Sequence, residues 1–421
     1  MKKLLFAICA LVALTACKED NPESNEVKAD RTVLVYVSGE NSLWSYVDSD
    51  LNEMKTGSRT IGDNNLLIFV DRSLSNEVPW LARIRDGQIT DSVSVQDMMN
   101  EKGFKPSESY AKDDPYSSDP VVFENVLRYA FDKYPSKNAD YGLVLWGHGS
   151  GWCISDSIPY TALARRKAYG IDNGRNSTSD KGQWLNIPTM AKVLSKLPHL
   201  SFIFCDCCNM MCLEVGYELR NVTDYLIGTP AEIPGVGAPY ETVVPAMFET
   251  TTFWKSIVDR YYEQHASGFD VPLSVIKSSE MENLASATRT VLKTFAGNFD
   301  DTYPDLSGLI YYYYDYSKNE EFYDANNFIL AYTGKYATTN DYSSWKQAFD
   351  NAVIYKKMAT RWMINKDPYW AKYYGDNFEM TEENYGGVSM YIPQWKNYYT
   401  DNVEIQKMGW YEAAGYKDIG W

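Results

Sequence analysis

Two short stretches carry the residues best suited to nucleophilic chemistry. The first runs from Tyr141 to Trp152 (YGLVLWGHGSGW) and sets His148 at the end of an apolar run, between Gly147 and Gly149. Glycine on both sides lets another backbone approach closely and frees an amide to face a ligand. The second reads Phe204-Cys205-Asp206-Cys207-Cys208-Asn209. An extended chain alternates its side chains, so Asp206 and Cys208 are expected on one face and Cys205 and Cys207 on the other. A helix is expected over Asn209 to Asn221, which would set its N-terminus beside Cys208 and favour a thiolate there. With that help and a nearby base, a thiol attacks a carbonyl at neutral pH. The chain has three histidines, so the placement of His148 is informative. His199 reads as structural and His265 as solvated.

The elements that must position these residues alternate along the chain. Thr32–Val37, Leu66–Val70, Leu143–Trp146, Ser201–Cys205 and Asp224–Gly228 read as buried strands, apolar on both faces. Residues 41–54 have helical character, and Pro120–Lys133 fits a helix with Asp119 as its cap. Trp80–Ile84 with a turn at Asp86-Gly87 suggests a hairpin. Strand and helix at crossover spacing call for an α/β sandwich with a mostly parallel sheet. Sites in such sheets form at the carboxyl ends of strands, where His148 and Cys208 both fall. Farther on, Thr252–Gln264 and Ser279–Phe299 read as helices, Gly387–Pro393 as a strand, and Tyr311–Tyr314 as a core or interface element.

Length and composition bound the function. The 421 residues are 45% apolar with 34 tyrosines, enough for a large packed body. A formal charge of −16 repels nucleic acid, so no such partner is expected. Residues 1–17 (MKKLLFAICALVALTAC) read as a signal peptide, too short for a membrane span. Leu14-Thr15-Ala16-Cys17 resembles a lipobox, which makes Cys17 the expected lipidation site. Residues 18–30 are a polar, flexible tether. The expected location is therefore the outer membrane or cell surface, held by lipid. Four cysteines lie within 205–212, too close together for long-loop disulfides. Strand alternation also splits them as a thiolate metal site.

Taken together, His148-Gly149 and Asp206-Cys207-Cys208 resemble the clostripain family of cysteine peptidases, relatives of gingipains, legumains and caspases. Glu214–Arg220, Asp224–Ile227 and the loop Glu232–Gly237 are similar to the family's following helix, strand and loop. The resemblance covers residues 31–250, with a weaker echo at Gly387–Pro393. Cys207 departs from it, standing where alanine is usual. The resemblance implies a three-layer caspase-hemoglobinase fold, with a catalytic core at 31–250 and a helical and mixed region at 251–421 that completes or covers it. It implies endopeptidase activity, with Cys208 forming the acyl-enzyme and His148 as general acid–base. The amides of Gly149 and Cys208 would form the oxyanion hole. Asp206 would lie in the pocket for the residue before the cut and select Arg or Lys, since a guanidinium pairs bidentately with a carboxylate. Arg165, Arg166 and Lys167 lie in the loop where relatives cut themselves. No cofactor is expected; calcium enters by resemblance alone, and no EF-hand loop is present. The alternative is a surface binding or nutrient-capture lipoprotein that kept the fold and lost turnover.

Overall fold

The computed structural model describes residues 29–154, 168–180, 182–264, 271–298, 303–314, 320–360, 362–363, 379–393 and 403–421. Residues 1–28, with Cys17, lie outside them, as do Arg165, Arg166, Lys167, Lys181 and His265. The strands, in chain order, are β1 (Thr32–Gly39), β2 (Asn65–Arg72), β3 (Trp80–Arg85), β4 (Gln88–Ser94), β5 (Ser109–Ala111), β6 (Asp114–Pro115), β7 (Tyr141–Trp146), β8 (Tyr169–Asp172), β9 (Gln183–Leu185), β10 (Leu200–Asp206), β11 (Thr223–Gly228), β12 (Leu273–Lys277), β13 (Tyr311–Tyr314), β14 (Glu320–Asp324), β15 (Val353–Lys357) and β16 (Ser389–Met390). The main helices are α1 (Val47–Gly57), α2 (Val95–Lys102), α3 (Pro120–Lys133), α4 (Ile187–Leu194), α5 (Leu213–Leu219), α6 (Tyr240–Met247), α7 (Phe253–Gln264), α8 (Met281–Phe295), α9 (Ala325–Tyr336) and α10 (Thr339–Ala352).

Nine strands form one sheet in the order β15-β12-β11-β10-β7-β1-β2-β3-β4. The five central strands, β11-β10-β7-β1-β2, pair in parallel. The two strands on each flank pair antiparallel. β12 and β15 come from the second half of the chain and extend the sheet beyond β11.

Helices cover both faces, which is why the central strands are apolar throughout. On β1, Val33, Val35 and Val37 join a core with α1, α6 and α7, while Leu34 and Tyr36 join a core with α3, α4, α5 and α8. This is the three-layer α/β sandwich the strand–helix alternation implies. Helix α3 begins as its sequence dictates. Pro120 fills the first turn and the Asp119 carboxylate accepts from Val121 N at 2.8 Å and Val122 N at 3.1 Å.

One expectation fails near the candidate site. The helix read from Asn209 is α5, which starts at Leu213 with Cys212 as its N-cap. Residues 207–211 turn instead, with Asn209 at φ +60°. The reason is tertiary. Asn209 N donates to Ala231 O and Met211 N to Thr229 O, both at 2.9 Å. Amides tied to the chain after β11 cannot enter a helix. The strand read over Gly387–Pro393 is shorter, Ser389–Met390, and Ser389 N donates to Met211 O at 3.0 Å.

Candidate active site

Strands β7 and β10 run parallel with Trp146 opposite Asp206. Two residues farther along each chain stand His148 and Cys208, so both follow the carboxyl ends of neighbouring strands. The glycines make the approach feasible. A Cβ on Gly149 would lie 2.7 Å from Cys208 O and 3.2 Å from Cys207 Sγ. Gly147 has φ +144°, and a Cβ there would meet Ser38 O at 2.8 Å. Gly149 also bridges Tyr169 of β8 in antiparallel fashion, through Ser150 N to Ala168 O (3.0 Å) and Gly170 N to His148 O (2.9 Å). With those bonds on the flanking residues, the Gly149 N–H points away from β8.

The His148 ring sits among three residues distant from it in sequence. Its Nε2 is 3.0 Å from Ser42 Oγ and 3.2 Å from Asp180 Oδ1. The Trp184 ring lies 6.5 Å away, centroid to centroid. Burial raises the Asp180 carboxyl, but its bonds to His148 and Ser42 outweigh this and hold it at about 2. The other histidine within the described residues, His199, meets Asp224 at 3.0 Å near the surface.

Cys208 is partly exposed, whereas Cys205, Cys207 and Cys212 are buried. Cys205 and Cys207 face the α3–α5 core. Asp206 faces the other way, onto Tyr240 and Tyr261. The alternation expected of an extended chain therefore holds through Cys207. Cys208 Sγ accepts from Ile233 N at 3.4 Å. Although part of the residue meets solvent, burial and then Glu232 push its thiol up to about 12, against the pull of the Ile233 amide. This corrects the expectation of a thiolate favoured by a helix end, because the helix begins four residues too late. Burial and the Cys205 thiol push Cys207 well above the usual thiol range as well.

Asp206 is 2% exposed. Its Oδ2 accepts from Tyr240 OH at 2.7 Å, its Oδ1 from Tyr261 OH at 3.2 Å, and both accept from Ala238 N at 3.1 Å. The chain passes directly over it, since a Cβ on Gly237 would lie 2.8 Å from Oδ2. Asp50 lies close by and accepts from Trp146 Nε1 at 2.6 Å. Burial, with Asp206 nearby, raises Asp50 to about 8. Burial also raises Glu53, which accepts from Tyr240 N. Carboxylates thus collect beneath the loop 232–240. Among the described residues one set has the oxygens to hold a cation: Glu40, Asp71 and Asp114, all within 4.8 Å of one another. All-oxygen donors would suit a hard ion.

Sequence reasoning singled out His148, Gly149, Asp206 and Cys208, and the structure brings all four to one end of β7 and β10. It overlooked Ser42, Asp180, Trp184, Asp50, Tyr240 and Tyr261. Ser42 follows the carboxyl end of β1, a position the strand-end rule singles out. The others reach the site by long-range packing and carry no local mark.

A model of the clostripain family matches residues 35–420. A secreted C11 cysteine protease from Bacteroides thetaiotaomicron, solved with an irreversible peptide inhibitor, is 31% identical; the match covers 93% of this chain and all (100%) of that one, with a TM-score of 0.73. An inactive zymogen C11 protease from Parabacteroides distasonis is 29% identical over 92% of this chain and 98% of its own, with a TM-score of 0.71. Another secreted C11 cysteine protease from B. thetaiotaomicron, 19% identical over 92% of this chain and 100% of its own, shares the fold with a TM-score of 0.63. No curated protein matches.

Proposed function

The chain belongs to the clostripain family, and from that premise we propose that it is a cysteine endopeptidase cutting after Arg or Lys through Cys208 and His148. The observation that carries the reading is the β7–β10 register, with Trp146 opposite Asp206 and Gly149 packed on the carbonyl of Cys208. In this mechanism Cys208 Sγ attacks the substrate carbonyl carbon and its proton passes to His148. The oxyanion faces the amides of Gly149 and Cys208. The orientation of the Gly149 N–H away from β8 supports this, and one such donor is worth about 3 kcal/mol. The C–N bond then breaks as His148 gives the proton to the leaving amine. Water cleaves the thioester and restores the thiol.

Asp206 supplies the negative charge for a basic side chain. The loop 232–240 lies over Asp206, so the proposal requires that loop to shift as the substrate enters. Self-cutting at Arg165, Arg166 or Lys167 belongs to the same specificity. Anchoring through a lipid on Cys17 would place the enzyme at the outer membrane or cell surface; among the described residues no helix is long and apolar enough to cross a membrane. The test is hydrolysis of Arg- and Lys-ended fluorogenic peptides. Cys208→Ala is expected to abolish turnover and to leave the chain in one piece, while Cys207→Ala keeps most activity. The reverse pattern would sink the assignment. A wild type that binds such peptides without cutting them would favour the binding-protein alternative.

A further inference from the structure

We propose that Asp180 and Ser42 are positioning residues for His148, holding its Nε2 so that Nδ1 is the nitrogen that serves Cys208. The consequence for turnover rests on the peptidase reading; the consequence for the ring's tautomer rests on geometry alone.

An ionised carboxylate only accepts hydrogen bonds. With Asp180 Oδ1 at 3.2 Å, Nε2 is therefore the nitrogen that carries the hydrogen. A neutral ring then keeps its lone pair on Nδ1, the form a general base needs. Asp180 stays ionised, because its bonds to His148 and Ser42 overcome the effect of burial and hold it at about 2. The same Asp180 oxygen accepts from Ser42 N at 3.1 Å, and Ser42 Oγ stands 3.0 Å from Nε2. Backbone and hydroxyl of one residue thus brace both partners.

Ser42 is itself fixed from below. Asn41 is fully buried. Its Nδ2 donates to Ser38 O at 3.0 Å and Ile171 O at 2.8 Å, and its Oδ1 accepts from Leu43 N at 2.9 Å. That ties the end of β1 to β8, the strand whose Gly170 N holds the His148 carbonyl. Two segments far apart in sequence, one after β1 and one before β9, converge on a single ring nitrogen. A nitrogen so engaged cannot also face the thiol. The His148 and Asp180 side chains are 26% and 50% exposed, so solvent weakens this pairing and the effect is one of orientation.

Two measurements test it. In 15N-histidine-labelled Cys208→Ala chain at about pH 8, the His148 resonances, assigned by loss in His148→Gln, are expected to show hydrogen on Nε2 and a lone pair on Nδ1. Asp180→Ala with Ser42→Ala should move them toward the mixture of free histidine. In steady-state kinetics, Asp180→Ala should lower kcat about tenfold to a hundredfold, with KM within about threefold and an unchanged Tm, and Asp180→Glu should restore part of the loss. A lone pair on Nε2 in the parent chain would overturn the proposal. So would a kcat that is unchanged, that rises as if a latch were released, or that falls only together with Tm. A parent chain that shows the expected tautomer and its loss in the double variant, yet whose wild type cuts no peptide, sinks the peptidase reading and leaves the positioning role standing.

Discussion

The thiol of Cys208 rests protonated, held up to about 12 by burial and by Glu232. Under the proposed mechanism the thiolate forms as substrate and imidazole arrive, not beforehand. Iodoacetamide is therefore expected to modify the resting chain at pH 7 on the order of a hundredfold more slowly than a free cysteine, with a rate still rising at about pH 10. Intact mass reads this, and rapid alkylation with a plateau below about pH 7 would contradict it. Asp206 is the other residue whose chemistry is testable alone. Asp206→Asn keeps one acceptor oxygen, enough for Ala238 N and one of the two tyrosine hydroxyls, and turns a donor toward the other hydroxyl while removing the charge. It should raise KM for Arg and Lys peptides by about tenfold to a hundredfold, the worth of a hydrogen-bonded charge. Unchanged preference for basic peptides would remove Asp206 from the specificity pocket. His148, Asp206 and Cys208 could be picked out because their types and their places at strand ends are unusual. Ser42 carries only its place after a strand end, and Asp180 carries no mark at all, being an ordinary polar residue until the fold sets it against a ring nitrogen.

At the scale of elements, the strands of the central sheet and helix α3 follow from local pattern. The β-branched run of β1 is apolar on both faces because helices pack on both. Asp119-Pro120 starts α3 by its own hydrogen bonds. Asp119→Ala removes acceptors for Val121 N, Val122 N and Glu108 N and should cost about 1–2 kcal/mol, read as a lowered denaturant midpoint with unchanged slope. No loss of stability would mean that the cap is replaced by water. Helix α5 shows where local pattern runs out. Its first expected turn is taken by bonds from Asn209 and Met211 to Ala231 and Thr229. Those partners lie some twenty residues away, and no window around Cys208 reveals them.

Across the whole molecule the buried carboxylates set a pH response. Burial, with Asp172 nearby, raises Glu40 to about 9. Burial likewise raises Glu214 to about 7 and Asp114 to about 6. Asp50, at about 8, belongs with them. In each case the folded chain keeps a proton that the unfolded chain, titrating near 4.5 for Glu and 3.8 for Asp, has already released. Stability from these groups is full below about pH 4, declines as pH rises through the folded values, and levels off above about 9. Against burial, Lys255, Tyr355 and Lys357 hold Asp259 at about 2, so its contribution is lost only as pH falls from 3.8 toward that value. The expected outcome is a Tm that drops between about pH 6 and pH 9, measured by calorimetry on the Cys208→Ala chain; a Tm that rises over that range would refute it.

The amino-acid order alone determined the α/β class, the central strands, the capped start of α3 and the placing of one histidine and one cysteine motif after strand ends. These rest on periodicity, capping and residue type, all of which act within a few residues. Tertiary structure decided the state of the thiol, the company of His148 and the closing of loop 232–240 over Asp206. Those depend on which distant amides, hydroxyls and carboxylates the sheet brings within hydrogen-bond reach, and on how much water their packing removes.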